Sequence, residues 1–272
     1  MRRIPGFKGK KRLIAFLYKK KRMKGKDMII IGKYNCVYKL PNIIENVGFD
    51  IFVNGIYEKE TICLIVEQCK HAAFFIDIGA NIGSISIPVS KRLEHIKVIC
   101  IEASPTVFEY LAWNVNGNGL KNTILINKAV AEIDDATVNF YSPQEKYGKG
   151  SLAPVFEKKA QLVNTITLTK LIADYKVEDI GMIKVDVEGF EYFVFKGGES
   201  ALRKCNAPDI LFEFVDWAEG LANSKAGDTQ KLLLQYGYSL YLINGYNKVK
   251  QLVFPLEKGA AMILASKKSI SI

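Results

Sequence analysis

The chain has 272 residues, 49% of them hydrophobic, and a formal net charge of +10, which allows one large globular domain and excludes an intrinsically disordered chain. Five scattered cysteines with no Cys-x-x-Cys pair exclude a disulfide framework and fit reduced thiols in a cytoplasm. The charge is uneven: residues 1–26 hold 12 Lys or Arg and no acid, leaving 26 basic against 28 acidic residues, a net of −2, in the rest.

Residues 1–27 read as a basic tail. Its apolar run, Leu13 to Tyr18, is far shorter than the roughly 20 residues a membrane span needs, and no small-residue cleavage site follows it. Leu13, Phe16, Leu17 and Met23 can share one helical face beneath a ring of lysines, a pattern suited to the surface of an anionic membrane. A solvated arm and a grip on nucleic acid are the alternatives. Localisation is expected to be cytoplasmic, peripheral at the inner face of the membrane if the tail docks there. Residues 28–70 follow as short strands through Ile56, with turns at Gly32-Lys33 and Pro41-Asn42 and a hairpin turn at Asn54-Gly55. A helix then runs from Tyr57 to Lys70. This segment is expected to act as a lid over the main domain, residues 71–272.

That domain opens on Phe75-Ile-Asp-Ile-Gly-Ala-Asn-Ile-Gly83, a buried strand ending in an acid, a small-residue turn and a helix start. Gly79 and Gly83 permit close backbone approach to a ligand, the layout of a nucleotide-type site on an open α/β sheet. A dinucleotide fits poorly, because Asn81 stands where G-x-G-x-x-G has its middle glycine and Asp77 would repel a pyrophosphate. Asp77 would instead suit a ligand with ammonium and sulfonium charges, which S-adenosylmethionine carries. A second strand, Lys97–Glu102, ends in an acid 23 positions after Gly79, placed to accept hydrogen bonds from a ribose diol. Ala103-Ser-Pro105 starts a helix with Ser104 as N-cap. The third strand, Thr123–Asn127, delivers Lys128 and Ala129 to the adenine end of the crevice.

A long polar stretch, Asp134 to Leu162, carries a strand at Thr137–Tyr141 and reads as a substrate-facing excursion that includes Ser151. In the run Met182 to Glu191, Ile183 and Val185 alternate with Lys184 and Asp186 on a strand that must be central, and its Lys184 needs a partner there. Asp186 and Glu188 mark its tip. A helix over Phe190–Lys204 leads to a strand at Asp209–Phe214, in which Glu213 sits among apolar residues; a structural Lys184–Glu213 ion pair and a direct catalytic role are both open. After a helix over Thr229–Tyr236, two closing strands, Tyr238–Ile243 and Ala261–Ala265, lack an intervening helix and so pair antiparallel. The predicted fold is an α/β, doubly wound, Rossmann-like seven-stranded sheet of the class I methyltransferase type, with an antiparallel last strand and a small N-terminal extension.

Three motifs, Asp77-Ile-Gly-Ala-Asn-Ile-Gly83, Glu102-Ala-Ser-Pro105 and Ile183-Lys-Val-Asp-Val-Glu-Gly189-x-Glu191, resemble the FkbM-type family of S-adenosylmethionine-dependent methyltransferases. Gly55-Ile-Tyr-Glu58 and Val163-Asn-Thr-Ile-Thr-Leu168 look like further family features, and the similarity covers roughly Gly55 to Phe214. Thr169 stands where members often have aspartate and is read as a helix cap. The resemblance implies methyl transfer to oxygen, often a hydroxyl of a sugar or secondary metabolite. It further implies a cofactor site at Glu58, Asp77, Gly79, Ala80, Asn81, Gly83, Glu102, Ala103, Ser104, Lys128, Ala129 and Asp186, with Glu188, Glu191 and Ser151 on the substrate side.

A hydroxyl acceptor needs its proton removed. His71 and His95 lie away from the strand tips, which leaves a carboxylate as the base, Asp186 or Glu213, with Lys184 tuning their charge. A divalent metal on Asp186 and another carboxylate ranks second to a metal-free mechanism. No Asn/Asp-Pro-Pro-aromatic run and no Pro-Cys pair is present, which lowers the readings as a base methylase of nucleic acid. The leading expectation is an O-methyltransferase acting on a sugar, glycan or glycan precursor. An RNA-binding methyltransferase using the tail is the alternative, opposed by acidic crevice tips; an NAD(P)-dependent oxidoreductase ranks third.

Overall fold

The computed structural model describes residues 27–268 except 144, 145, 153, 155, 156, 158, 223 and 244–248. The expectations for residues 1–26 therefore lie outside the described residues.

The central sheet is built on β3 (Phe74–Ile78). All five of its residues are buried, as a parallel strand covered on both faces requires. To one side lie β4 (Lys97–Ile101) and β5 (Thr123–Ile126), and to the other β9 (Ile180–Val185) and β10 (Asp209–Val215). The sheet closes with β13 (Ala260–Ser266), antiparallel to both β10 and β11 (Ser239–Ile243). The expected antiparallel closure is present, and a short β12 (Val249–Gln251) pairs with β11 at the edge as an eighth strand. Side chains alternate between two cores. Phe75, Val98, Cys100, Met182 and Leu211 face one; Ile76, Ile99, Ile183, Ile210 and Phe212 face the other.

The first core also takes in residues 28–70. A hairpin of β1 (Met28–Ile31) and β2 (Val37–Leu40) precedes α1 (Asn46–Asn54) and α2 (Lys59–Cys69). Ile30, Tyr38, Leu40, Val47, Ile51, Ile62 and Ile65 pack with Phe75 and Val98. Two expectations fail in this region. The segment read as strand through Ile56 is helical from Asn46, because the Glu45 carboxylate caps it, accepting the Val47 N–H at 2.6 Å, and Val47 and Ile51 bury one helical face. Asn54-Gly55 is thus a helix end, with Gly55 at φ 75° as C-cap, rather than a hairpin turn. The β-branched residues of this segment give it the look of a strand. The helix expected from Tyr57 starts at Lys59, since Glu58 is left-handed at φ 38°.

Two further helices, α3 (Ser86–Arg92) and α4 (Pro105–Gly117), link the first three sheet strands and bury Ile87, Val107 and Leu111 in the same first core. Ser104 caps α4 by accepting the Val107 N–H, and Pro105 opens the helix. After β5 the chain forms a small side sheet from β6 (Ala129–Val130), β7 (Thr137–Tyr141) and β8 (Ala160–Ile166). Next comes α5 (Leu168–Asp174), capped by Thr167, whose hydroxyl accepts the Lys170 N–H at 3.0 Å. The cap is therefore Thr167 and not Thr169, which bonds Ser200. The helix expected over Phe190–Lys204 is two pieces, α6 (Glu191–Lys196) and α7 (Glu199–Leu202). They break at Gly197-Gly198, where a Cβ on either residue would strike Ala131 or Leu168. The last helices are α8 (Asp216–Leu221) and α9 (Asp228–Gln235).

Candidate active site

A crevice opens at the carboxyl ends of β3, β4 and β9, where an open α/β sheet changes direction and ligands bind. The space within it, open solvent at the mouth included, is about 610 Å³. Its walls are Gly79 and Asn81 from the first turn, Glu102 and Ala103 from the second, Lys128 to Val130 beyond β5, and Asp186 to Glu188 at the tip of β9. Phe140 and Leu152 supply an apolar wall, and Tyr147, Gly148 and Gly150 cross over it.

The turn after β3 is closed on itself. The Gly79 and Ala80 N–H groups both donate to the Ile101 carbonyl at 2.9 Å. Asn81 N–H donates to Glu102 Oε2 at 2.9 Å and Ile82 N–H to Asn81 Oδ1 at 2.7 Å. Gly83 N–H donates to the Ala80 carbonyl at 2.9 Å. No N–H from Gly79 to Gly83 is left to cradle a phosphate, so this turn lacks the anion site on which dinucleotide folds depend. The other Glu102 oxygen, Oε1, accepts the Ser104 N–H at 2.8 Å. Burial pushes the Glu102 carboxyl up to about 7 against the pull of those two N–H groups.

Behind this turn lies a buried ion cluster. Asp77 is fully buried; its Oδ2 accepts the Ser86 hydroxyl and its Oδ1 stands 3.3 Å from Lys184 Nζ. Lys184 reaches Asp186 Oδ2 at 3.4 Å as well. Burial alone would lower the Lys184 pKa, but Asp77, Asp186 and Glu58 outweigh it and raise it. The partner that Lys184 needs is thus the Asp77–Asp186 pair. The alternative ion pair with Glu213 does not form: Lys184 sits in register with Leu211, two residues short of Glu213.

Glu213 belongs to a different group. Carboxylate oxygens of Asp186, Glu188 and Glu213 all lie within 4.8 Å of one another. Glu188 is held at 2.6 Å by Lys149. Burial and the neighbouring Asp186 charge raise the Glu188 carboxyl to about 7. Burial, with Asp186 and Glu188 beside it, raises Glu213 likewise to about 7. Glu58 is also raised, by burial and by Asp186. Three clustered carboxylates can share a proton, accept one from a substrate or ligate a cation.

The family model for the Methyltransferase FkbM domain matches residues 77–240. The chain belongs to the FkbM methyltransferase family. A relative, the hexuronic acid methyltransferase AglP of Haloferax volcanii, is 26% identical over 149 residues, covering 55% of this chain. The match spans 59% of that relative's length. Among solved structures, the precorrin-6y C5,15-methyltransferase of Geobacter metallireducens aligns with a TM-score of 0.43 at 13% identity, over 78% of this chain and 93% of that one. An O-methyltransferase of Bacillus cereus in complex with SAH aligns at 0.42 and 11% identity, over 77% and 82%.

The FkbM motifs sort by position. Gly79, Asn81, Glu102, Ala103, Lys128, Ala129, Asp186 and Glu188 line the crevice. Asp77 is expected at its mouth but stands behind the wall, because Lys184 and Ser86 hold it inside the sheet. A Cβ on Gly79 would collide with the Asp186 carbonyl, and one on Gly83 would press on Ile87 and Leu111. Both glycines serve chain packing at positive φ, and Gly79 lines the crevice as well. Ala80 and Ser104 are buried in the turns that carry Asn81 and Glu102.

Glu191 leaves the substrate side: it is 2% exposed and accepts the Val187 N–H at 3.0 Å. Burial raises its carboxyl to about 8. Ser151 is buried too, its hydroxyl on the Glu188 carbonyl at 3.3 Å. Sequence reasoning places Phe140, Tyr147 and Lys149 in the substrate-facing excursion but gives none of them a role. The signal in the chain is Tyr147-Gly-Lys-Gly150 between two strands, since a glycine-flanked lysine in a long excursion suits a close crossing.

Proposed function

We propose that this protein is an S-adenosylmethionine-dependent O-methyltransferase whose acceptor is a hydroxyl of a sugar, glycan or glycan precursor. The observation that carries the reading is the Asp186–Glu188–Glu213 cluster, two of whose members line a crevice that offers a buried acid, Glu102, and no phosphate cradle in its first turn. That donor set fits a cationic cofactor with hydroxyls to bind and opposes a pyrophosphate. Glu102 and Asn81 would hold its polar groups, Phe140 and Val130 its apolar surface, and Asp186 would face its charged end. S-adenosylmethionine supplies a methyl group on an excellent leaving group, so alignment is the protein's main contribution.

A sugar hydroxyl must also lose its proton. Glu213, with a carboxyl near 7, is a base matched to neutral pH, and a proton arriving at its Oε atom is stabilised by the neighbouring carboxylates. Lys184 fixes Asp186 from behind. The sugar reading draws support from the Haloferax relative, a hexuronic acid methyltransferase by name.

Calorimetry with S-adenosylhomocysteine and with NADH tests the cofactor class. Micromolar binding of the former alone is expected; binding of NADH alone would overturn the proposal. Radiolabelled methyl transfer to neutral and uronic sugars then tests the acceptor. The basic residues 1–26 would hold the enzyme at an anionic membrane surface, so their deletion should abolish pelleting with anionic liposomes and spare turnover. No helix among the described residues is long and apolar enough to cross a membrane.

A further inference from the structure

The segment Tyr147 to Ser151 crosses the crevice, packed closely at one end and hydrogen-bonded at the other. At one end Gly148 lies so close to Glu45 and Asn81 that a Cβ there would stand 3.0 Å from Glu45 Oε1 and 3.3 Å from Asn81 Nδ2. At the other, the Ser151 hydroxyl donates to the Glu188 carbonyl, and Ser151 exchanges backbone bonds with Tyr141. Lys149 lies between, with its ammonium 2.6 Å from Glu188 Oε1. The turn that carries Asn81 and the tip of β9 are thus bridged by five residues, over the cavity their neighbours line.

The ion pair joins unequal partners. Glu188 is 7% exposed at its side chain and Lys149 34%. Glu188 is also in the left-handed region, at φ 53°, so its carboxylate is aimed by a backbone that most residues avoid. The groups facing this pair are Glu45 ahead of α1, Asp186 at the β9 tip and Glu213 on β10, and Glu58 ahead of α2 faces Glu213 in turn. Against these acids stand Lys149 itself and Lys184, and Lys184 is already committed to Asp77 and Asp186.

We propose that Lys149 is a positioning residue: by pairing with Glu188 it clamps the crossing segment onto β9 and occupies that carboxylate, so that Glu213 is the member of the cluster presented to the acceptor hydroxyl. The second half rests on the methyl-transfer reading; the clamp does not. Lys149 touches neither proton nor methyl in this scheme and acts through the two glutamates.

The test uses the full chain and the variants K149M, K149R, E188Q and K149M/E188Q. Hydrogen exchange of residues 147–151 in the free protein reads the clamp. K149M and E188Q should each raise exchange there about tenfold, the double variant no further, and K149R should restore protection. Unchanged exchange in K149M would overturn the clamp. The pH profile of kcat reads the second role. Removing the cation should move the rising limb up by roughly one pH unit, with K149R near wild type; an unmoved limb would overturn it. A wild type that fails to bind S-adenosylhomocysteine would defeat the functional reading while leaving the exchange result intact.

Discussion

The turn after β3 lines the crevice and the carboxylates at the tips of β9 and β10 cluster beside it, yet the two regions treat polar groups in opposite ways. In the first, each N–H from Gly79 to Gly83 has an acceptor inside the protein, and Glu102 is anchored through both oxygens. In the second, Asp186, Glu188 and Glu213 crowd together, with Lys149 on Glu188 and Lys184 shared between Asp77 and Asp186. A closed set of hydrogen bonds builds a rigid wall. An excess of like charge is costly to fold, and unbalanced groups of this kind concentrate where chemistry is done. The first region is thus expected to govern stability and binding, and the second turnover.

The largest expected effect tests the second half. Glu213→Gln should lower kcat by about 10²–10⁴-fold and leave S-adenosylhomocysteine affinity within about threefold of wild type, checked by single-turnover kinetics and calorimetry. In the wild type the rate should rise with pH around 7, since the base must be ionised. Equal losses of affinity and rate would erase the division.

Next comes the link between the regions. Asp77→Ala strips Lys184 of one buried partner and Ser86 of its acceptor, and should cost about 3 kcal/mol in urea unfolding. A loss of affinity with stability unchanged would put Asp77 back in the ligand site.

Glu191 offers a subtler check. Its folded carboxyl lies near 8, against 4.5 in the unfolded chain. Between those values the folded protein holds a proton that the unfolded chain has released. Stability from this group is therefore full below about 4.5 and falls by about 1.4 kcal/mol per pH unit as pH rises towards 8. Glu191→Gln should flatten that slope, measured by denaturation at pH 5 and pH 8. The smallest effect is Ser104→Ala, which removes the cap of α4 at about 1 kcal/mol, with the rest of the second turn unchanged.

Much of the sheet is legible in the sequence because its strands announce themselves. Phe74–Ile78 and Lys97–Ile101 are short apolar runs bounded by acids and turns, and the two helix-free closing strands give the antiparallel end. Residues 46–54 mislead because capping by Glu45 and burial four residues apart decide a helix that β-branched composition disguises. The candidate site is half legible. Motif positions identify which tips meet, but cannot say which way an acid points. Asp77 and Glu102 look equivalent along the chain, yet Asp77 turns inward to Lys184 on the neighbouring strand and Glu102 faces the crevice. Lys149 escapes notice because its meaning lies in Glu188, 39 residues away.

Glu102 has a consequence for how the crevice comes into being. A single side chain joins the Asn81 turn to the Ser104 helix start, one oxygen to each. The two walls are therefore joined by bonds within the protein, and no ligand is needed to connect them. A molecule entering the crevice then meets a finished surface and loses little of its affinity to ordering the protein.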